Sequence, residues 1–128
     1  MRYLLDTHTL LFFVAGDPLL STKARDLIQD PGHDILVSAA SAWEVATKFR
    51  LGKLPSAALL AQNFVLTVRG LGFELLSITA EAAQKAGGWT VGHKDPFDRM
   101  LAAQAILEGT PLITNDTAML QFGAALEW

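Results

Sequence analysis

Apolar and polar positions along this chain fall into blocks of two kinds. Short apolar runs at Arg2 to Leu5, Ile35 to Val37, Phe73 to Ile78 and Leu112 to Thr114 predict strands. Ile35-Leu36-Val37 shows no polar alternation, as expected of a strand buried on both faces. The intervening segments carry helical spacing and helix punctuation. Thr9 to Ala15 predicts a short helix closed by Gly16-Asp17-Pro18, and Ser21 starts a second through Gln29, closed by Asp30-Pro31-Gly32. Further helices are predicted over Ala40 to Arg50, stopped at Leu51-Gly52, and over Ala57 to Arg69, stopped by Gly70. Thr79 caps another through Ala86, and Pro96 to Glu108 makes a long one ending at Gly109. Ala125 to Trp128 is a candidate edge strand. Strands alternating with helices predict a parallel sheet covered on both faces. In such sheets ligands bind beyond the carboxyl ends of the strands.

Against this pattern, four acids stand at the edges of segments that should be core. Asp6 follows Tyr3-Leu4-Leu5, Glu44 lies within Ala39 to Ala46, Asp98 precedes Arg99-Met100-Leu101-Ala102-Ala103, and Asp116 follows Pro111 to Asn115. Each has an ordinary structural role open to it. Asp6 is placed to cap the helix that begins near Thr9. Glu44 is spaced for a capping box with Ser41 or a solvated pair with Lys48. Asp95, just before Pro96, has the sequence of a helix cap, which leaves Asp98 at the third helical position, where the helix dipole favours an acid. Asp116 suits a turn. A site requires all four together.

The chain has 128 residues, 51% of them hydrophobic, enough for one domain (residues 1–128) with a substantial core. Ten basic residues face thirteen acidic ones, for a net charge of −3; with the four acids set aside, ten face nine. The acidity therefore largely is those residues. No broad basic surface advertises a polyanionic partner, yet a bound divalent cation would offset the charge that opposes one. With no cysteine, disulfides and thiolate metal sites are excluded. Asp6 and His8 interrupt the N-terminal apolar stretch, which argues against a signal peptide, and no apolar run reaches membrane-span length. A cytoplasmic protein with no membrane partner is expected.

A cluster of carboxylates calls for a hard cation such as Mg²⁺ or Mn²⁺. Such an ion activates water and places positive charge on phosphoryl oxygens, both of which phosphodiester hydrolysis needs. The histidines His8, His33 and His93 show no familiar metal-ligand spacing, so a carboxylate route is the economical one.

The blocks Leu4-Leu5-Asp6-Thr7-His8, Ser38 to Glu44, His93 to Ala105 and Leu112 to Asp116 resemble, in order, the signatures of PIN-domain ribonucleases. They are most similar to the VapC-type toxins of type II toxin–antitoxin systems. The likeness runs from residue 2 to residue 116. It implies a three-layer α/β/α domain with a central parallel sheet. It implies Mg²⁺- or Mn²⁺-dependent endonuclease action on RNA, usually transfer or ribosomal RNA. It also implies a homodimer and a VapB-type antitoxin. By motif position the acidic quartet falls on Asp6, Glu44, Asp98 and Asp116. Thr7, Asn115 and Asp95 would support the ligands from behind. Lys48, Arg50, Lys53, Lys94 and Arg99 are the basic residues nearest the motifs and candidates for RNA phosphate contact, with solvated surface charge the alternative for each. Phe12, Phe13 and Trp43 are candidates for a dimer or antitoxin interface, or for core. Rival readings are another Mg²⁺-dependent phosphohydrolase or DNA-directed nuclease, and a non-catalytic α/β module binding a metal or partner. A further rival is a fold whose acids never meet.

Overall fold

The computed structural model describes all residues, Met1 to Trp128. Strand β1 (Arg2–Leu5) leads into helices α1 (Thr7–Ala15) and α2 (Thr22–Gln29), then β2 (Asp34–Ser38) and α3 (Ala39–Arg50). A 3₁₀ turn (Pro55–Ala57), α4 (Ala58–Gln62) and α5 (Phe64–Gly70) precede β3 (Glu74–Leu76). The chain closes with α6 (Ala80–Gly88), α7 (Pro96–Glu108), β4 (Leu112–Ile113), a second 3₁₀ turn (Thr117–Phe122) and β5 (Leu126–Glu127). All strand pairs are parallel, in the order β3-β2-β1-β4-β5.

Successive strand residues point to opposite faces, and each face has its own core. Tyr3 and Leu5 of β1, Ile35 and Val37 of β2 and Ile113 of β4 join Leu10, Leu20, Ile28, Val45, Leu60 and Val68 on one side. Leu4, Leu36 and Leu112 join Leu101, Ala102, Ala105, Met119 and Phe122 on the other. The lack of alternation in the strands thus reflects helices on both faces, and the α/β/α sandwich is as expected. No helix is long and apolar enough to cross a membrane.

Order reverses at β1. The chain first builds outward through β2 and β3, then returns to place β4 on the other flank of β1. The crossovers leave in opposite directions there, the kind of switch point beyond whose strand ends open α/β sheets bind ligands. Asp6 follows the last residue of β1, and Thr114 the last of β4.

Three local expectations are corrected. The helix expected over Ala57 to Arg69 is broken at Asn63, whose backbone leaves the helical region (φ −132°, ψ 38°). Its side-chain amide donates to the Leu59 carbonyl at 3.3 Å, and such local bonds compete with helix continuation. The helix expected from Ala40 begins one residue earlier, with Ser38 as its cap accepting from the Ala40 N–H at 2.9 Å. Ser41 therefore lies inside the helix and forms no capping box with Glu44. Phe12 and Phe13 pack against the core, whereas Trp43 is largely exposed.

Candidate metal centre

Asp6 occupies the cap position of α1 yet makes no capping bond. Its carboxylate is only 3% exposed and turns instead toward β4. Oδ2 accepts from the Thr114 hydroxyl at 2.6 Å, and the same hydroxyl oxygen accepts from the Asp116 N–H at 3.0 Å. Thr114 thereby ties the two strand-end acids together across the order reversal. Oδ1 of Asp6 is buried without a hydrogen-bond partner.

Glu44 approaches from α3, near enough for its charge to act on Asp6 and Asp98. It is 2% exposed, so the solvated-face alternative is wrong, although the pairing with Lys48 forms through Oε2. Oε1 is buried and unpartnered. A hydrogen bond of 2.9 Å between the Thr7 and Ser41 hydroxyls ties the start of α1 to α3, which fixes the elements carrying Asp6 and Glu44 against each other.

Asp98 projects from the first turn of α7, and its Oδ2 meets His93 Nε2 at 2.8 Å. Asp95 is the cap of that helix, its Oδ1 accepting from the Phe97 and Asp98 N–H groups at 2.9 and 3.3 Å. Asp116 spends Oδ1 on the Ala118 N–H, capping the 3₁₀ turn that follows. One donor atom from each of His93, Asp98 and Asp116 lies within 4.8 Å of the others.

The electrostatics show that the acids feel each other. Burial raises the Asp6 carboxyl above its ordinary range; bonds from Thr114 and Thr7 and the charge of His8 oppose this, and the charge of Glu44 adds to it. Burial also pushes Asp98 up to about 6, against the His93 bond, with Asp6, Asp95 and Glu44 adding repulsion. Lys48 is held above its usual value: burial lowers it, but the Glu44 hydrogen bond and the charges of Glu44, Asp95 and Asp98 win.

These shifts carry a prediction. A carboxyl raised on folding means that the native state binds protons more tightly than the unfolded chain, so stability falls as pH rises through that interval. For Asp98 the interval runs from 3.8 to about 6. The melting temperature in chelator should therefore climb as pH is lowered from neutral toward about 5. Asp98→Asn should flatten that climb.

Several expected roles shift. Asn115 is exposed and makes no side-chain hydrogen bond; the neighbouring Thr114 takes the supporting position. Arg99 does not reach outward to a phosphate, because its guanidinium is spent on backbone. Nε donates to Ala86 O and Nη1 to His93 O, both at 2.8 Å, while Nη2 donates to Trp89 O. Lys94, Arg50 and Lys53 remain exposed. His93 and Thr114 were not legible as site residues. A hydroxyl directly ending an apolar strand was the available sign for Thr114. For His93, the loop ahead of α7 folds its ring back onto the helix start, which spacing does not reveal.

The donor set suits a divalent cation. Two buried carboxylate oxygens, on Asp6 and Glu44, lack any partner. Buried charge is tolerated when paired or when it coordinates metal, and Lys48 alone does not balance this cluster.

Comparison with known proteins agrees with the architecture. The family model described as "PIN domain" matches residues 3–124. The Mycobacterium tuberculosis protein named Ribonuclease VapC16 is 52% identical over 42 residues, which span 33% of this chain and 28% of that protein. The fold is shared with VapC20 of the same organism, described as a sarcin-ricin loop cleaving toxin: TM-score 0.70, 19% identity, 96% of each chain covered. It is also shared with the VapBC2 structure of Rickettsia felis bound to a promoter DNA fragment. There the TM-score is 0.67, with 18% identity over 99% of this chain and 98% of that one.

Proposed function

This chain belongs to the PIN domain family, and we propose that it is a metal-dependent endoribonuclease serving as the toxin of a type II toxin–antitoxin pair. The observation that carries this reading is the pair of buried, unpartnered oxygens on Asp6 and Glu44, joined to Asp98 through their charges and to Asp116 through the Thr114 hydroxyl. Asp6, Asp98 and Asp116 would be the main ligands of a Mg²⁺ or Mn²⁺ ion. Bound there, the ion would supply Lewis acidity to a water and to a phosphoryl oxygen of the scissile bond.

The chain's own groups do the rest. Glu44 keeps Oε1 free to bind the ion or to orient the attacking water, while Lys48 holds Oε2. Thr114 fixes the rotation of the Asp6 carboxylate, so one oxygen is committed and the other stays buried without a partner. Asp95 supports Asp98 by anchoring the first turn of α7. Lys94, exposed and next in the chain to His93, is a candidate to meet RNA phosphate.

The names of VapC16 and VapC20 support RNA as the substrate, with transfer or ribosomal RNA the expected target. The VapBC2 complex supports a VapB-type antitoxin as partner. A homodimer working in the cytoplasm completes the proposal.

The direct test incubates purified protein with single-stranded RNA and DNA of matched sequence, first in EDTA, then with Mg²⁺ or Mn²⁺. RNA should be cut only after the metal is added, and DNA should stay intact. Cleavage in EDTA, or equal cleavage of DNA, would contradict the proposal.

A further inference from the structure

The acids named so far are oxygen donors, yet the cluster contains a nitrogen. His93 Nε2 lies 2.8 Å from Asp98 Oδ2, and both lie within 4.8 Å of a carboxylate oxygen of Asp116. The position is built. The His93 N–H donates to Gln121 Oε1 at 3.2 Å, and its carbonyl accepts from Arg99 Nη1 at 2.8 Å. Its ring leans on Phe122 at 5.9 Å between centroids. Backbone and ring are thus both held, and the Nε2 edge is aimed at the acids.

Adjacent ligands of an octahedral ion with bonds near 2.1 Å stand about 3 Å apart. The hydrogen bond between His93 and Asp98 therefore holds the two atoms near the spacing of neighbouring ligands, and binding an ion would replace it by turning both atoms toward a point beside the line that joins them. Independent of that pair, Asp6 and Glu44, whose charges reach Asp98, each keep one buried carboxylate oxygen without a hydrogen-bond partner, and Lys48 is the one cation bound to them.

We propose that His93 is a metal ligand, joining Asp98 and Asp116 as a nitrogen donor that biases the site toward a first-row transition ion over Mg²⁺. This rests on the reading of the acids as a metal centre. Imidazole nitrogen is a good ligand for transition ions, whereas Mg²⁺ prefers an all-oxygen shell. A residue that merely formed a hydrogen bond to Asp98 would help both ions alike.

Mn²⁺ is the probe. Pulsed EPR of Mn²⁺ bound to the full-length protein should show echo modulation from a directly bonded imidazole nitrogen. His93→Gln should lose that signal, while His8→Gln should keep it. Calorimetric titration of His93→Gln should show Mn²⁺ affinity reduced by at least roughly tenfold and Mg²⁺ affinity nearly unchanged. Mn²⁺ binding without nitrogen modulation, or equal loss of both ions, would overturn the assignment of His93 and leave the acidic centre standing. Failure of the wild type to bind either ion would overturn both.

Discussion

Asp6→Asn should reduce RNA cleavage by roughly three orders of magnitude or more, the scale of several kcal/mol of lost metal-centred stabilisation. The same change should leave metal-free stability unchanged or raise it. This opposite pair of outcomes follows from the environment of Asp6. Its carboxylate is buried, with one oxygen bound by Thr114 and the other without a partner. Burial and the charge of Glu44 both oppose its ionisation. An asparagine oxygen keeps the Thr114 bond, since the hydroxyl donates it, and removes the unfavourable charge. A residue present only for stability would behave in the reverse way: its loss would cost stability, and activity would fall only as far as folding did. Cleavage assays beside thermal melts in chelator separate the two.

Arg99→Ala should destabilise the protein by about 2–4 kcal/mol, the largest single-residue stability effect expected near the site. Its guanidinium collects the carbonyls of Ala86, Trp89 and His93, with Val91 at the longer distance of 3.4 Å, and its Cζ lies 5.7 Å from the Phe122 ring centroid. One planar cation thus closes the end of α6 and the loop after it onto α7. Removing it leaves several carbonyls without a donor and frees the loop that presents His93. Arg99→Lys should recover only part of the loss, because a point ammonium cannot serve carbonyls spread around a planar fork. Urea unfolding with a common slope would measure this. A loss below about 1 kcal/mol would show that water replaces the clamp without difficulty.

The two residues also mark what could be read from the chain alone. Asp6 was legible because a carboxylate directly after Tyr3-Leu4-Leu5 has few inexpensive positions, and strand-end placement is a property of local sequence. The alternating apolar blocks revealed the parallel sheet for the same reason: each strand is buried on both faces and carries no polar alternation. Arg99 was misjudged because its partners are main-chain carbonyls, which leave no mark on residue identity. His93 was missed because its approach to Asp98 depends on a loop path. The break at Asn63 and the 3₁₀ turn from Thr117 escaped for a third reason: both are short features without a period to detect. The bland role suggested for Asp116 and its place in the cluster prove compatible, since one oxygen caps the turn while the residue remains beside Asp98 and His93.

The central claim is that the four acids form one cation-binding centre. The most direct measurement is the melting temperature of wild type and Asp6→Asn, each without metal and with saturating Mg²⁺. Binding to the native state alone must stabilise it. The account predicts a clear rise for the wild type and a much smaller one for Asp6→Asn, from a metal-free value at or above that of the wild type. Equal responses to Mg²⁺ in the two proteins would contradict it.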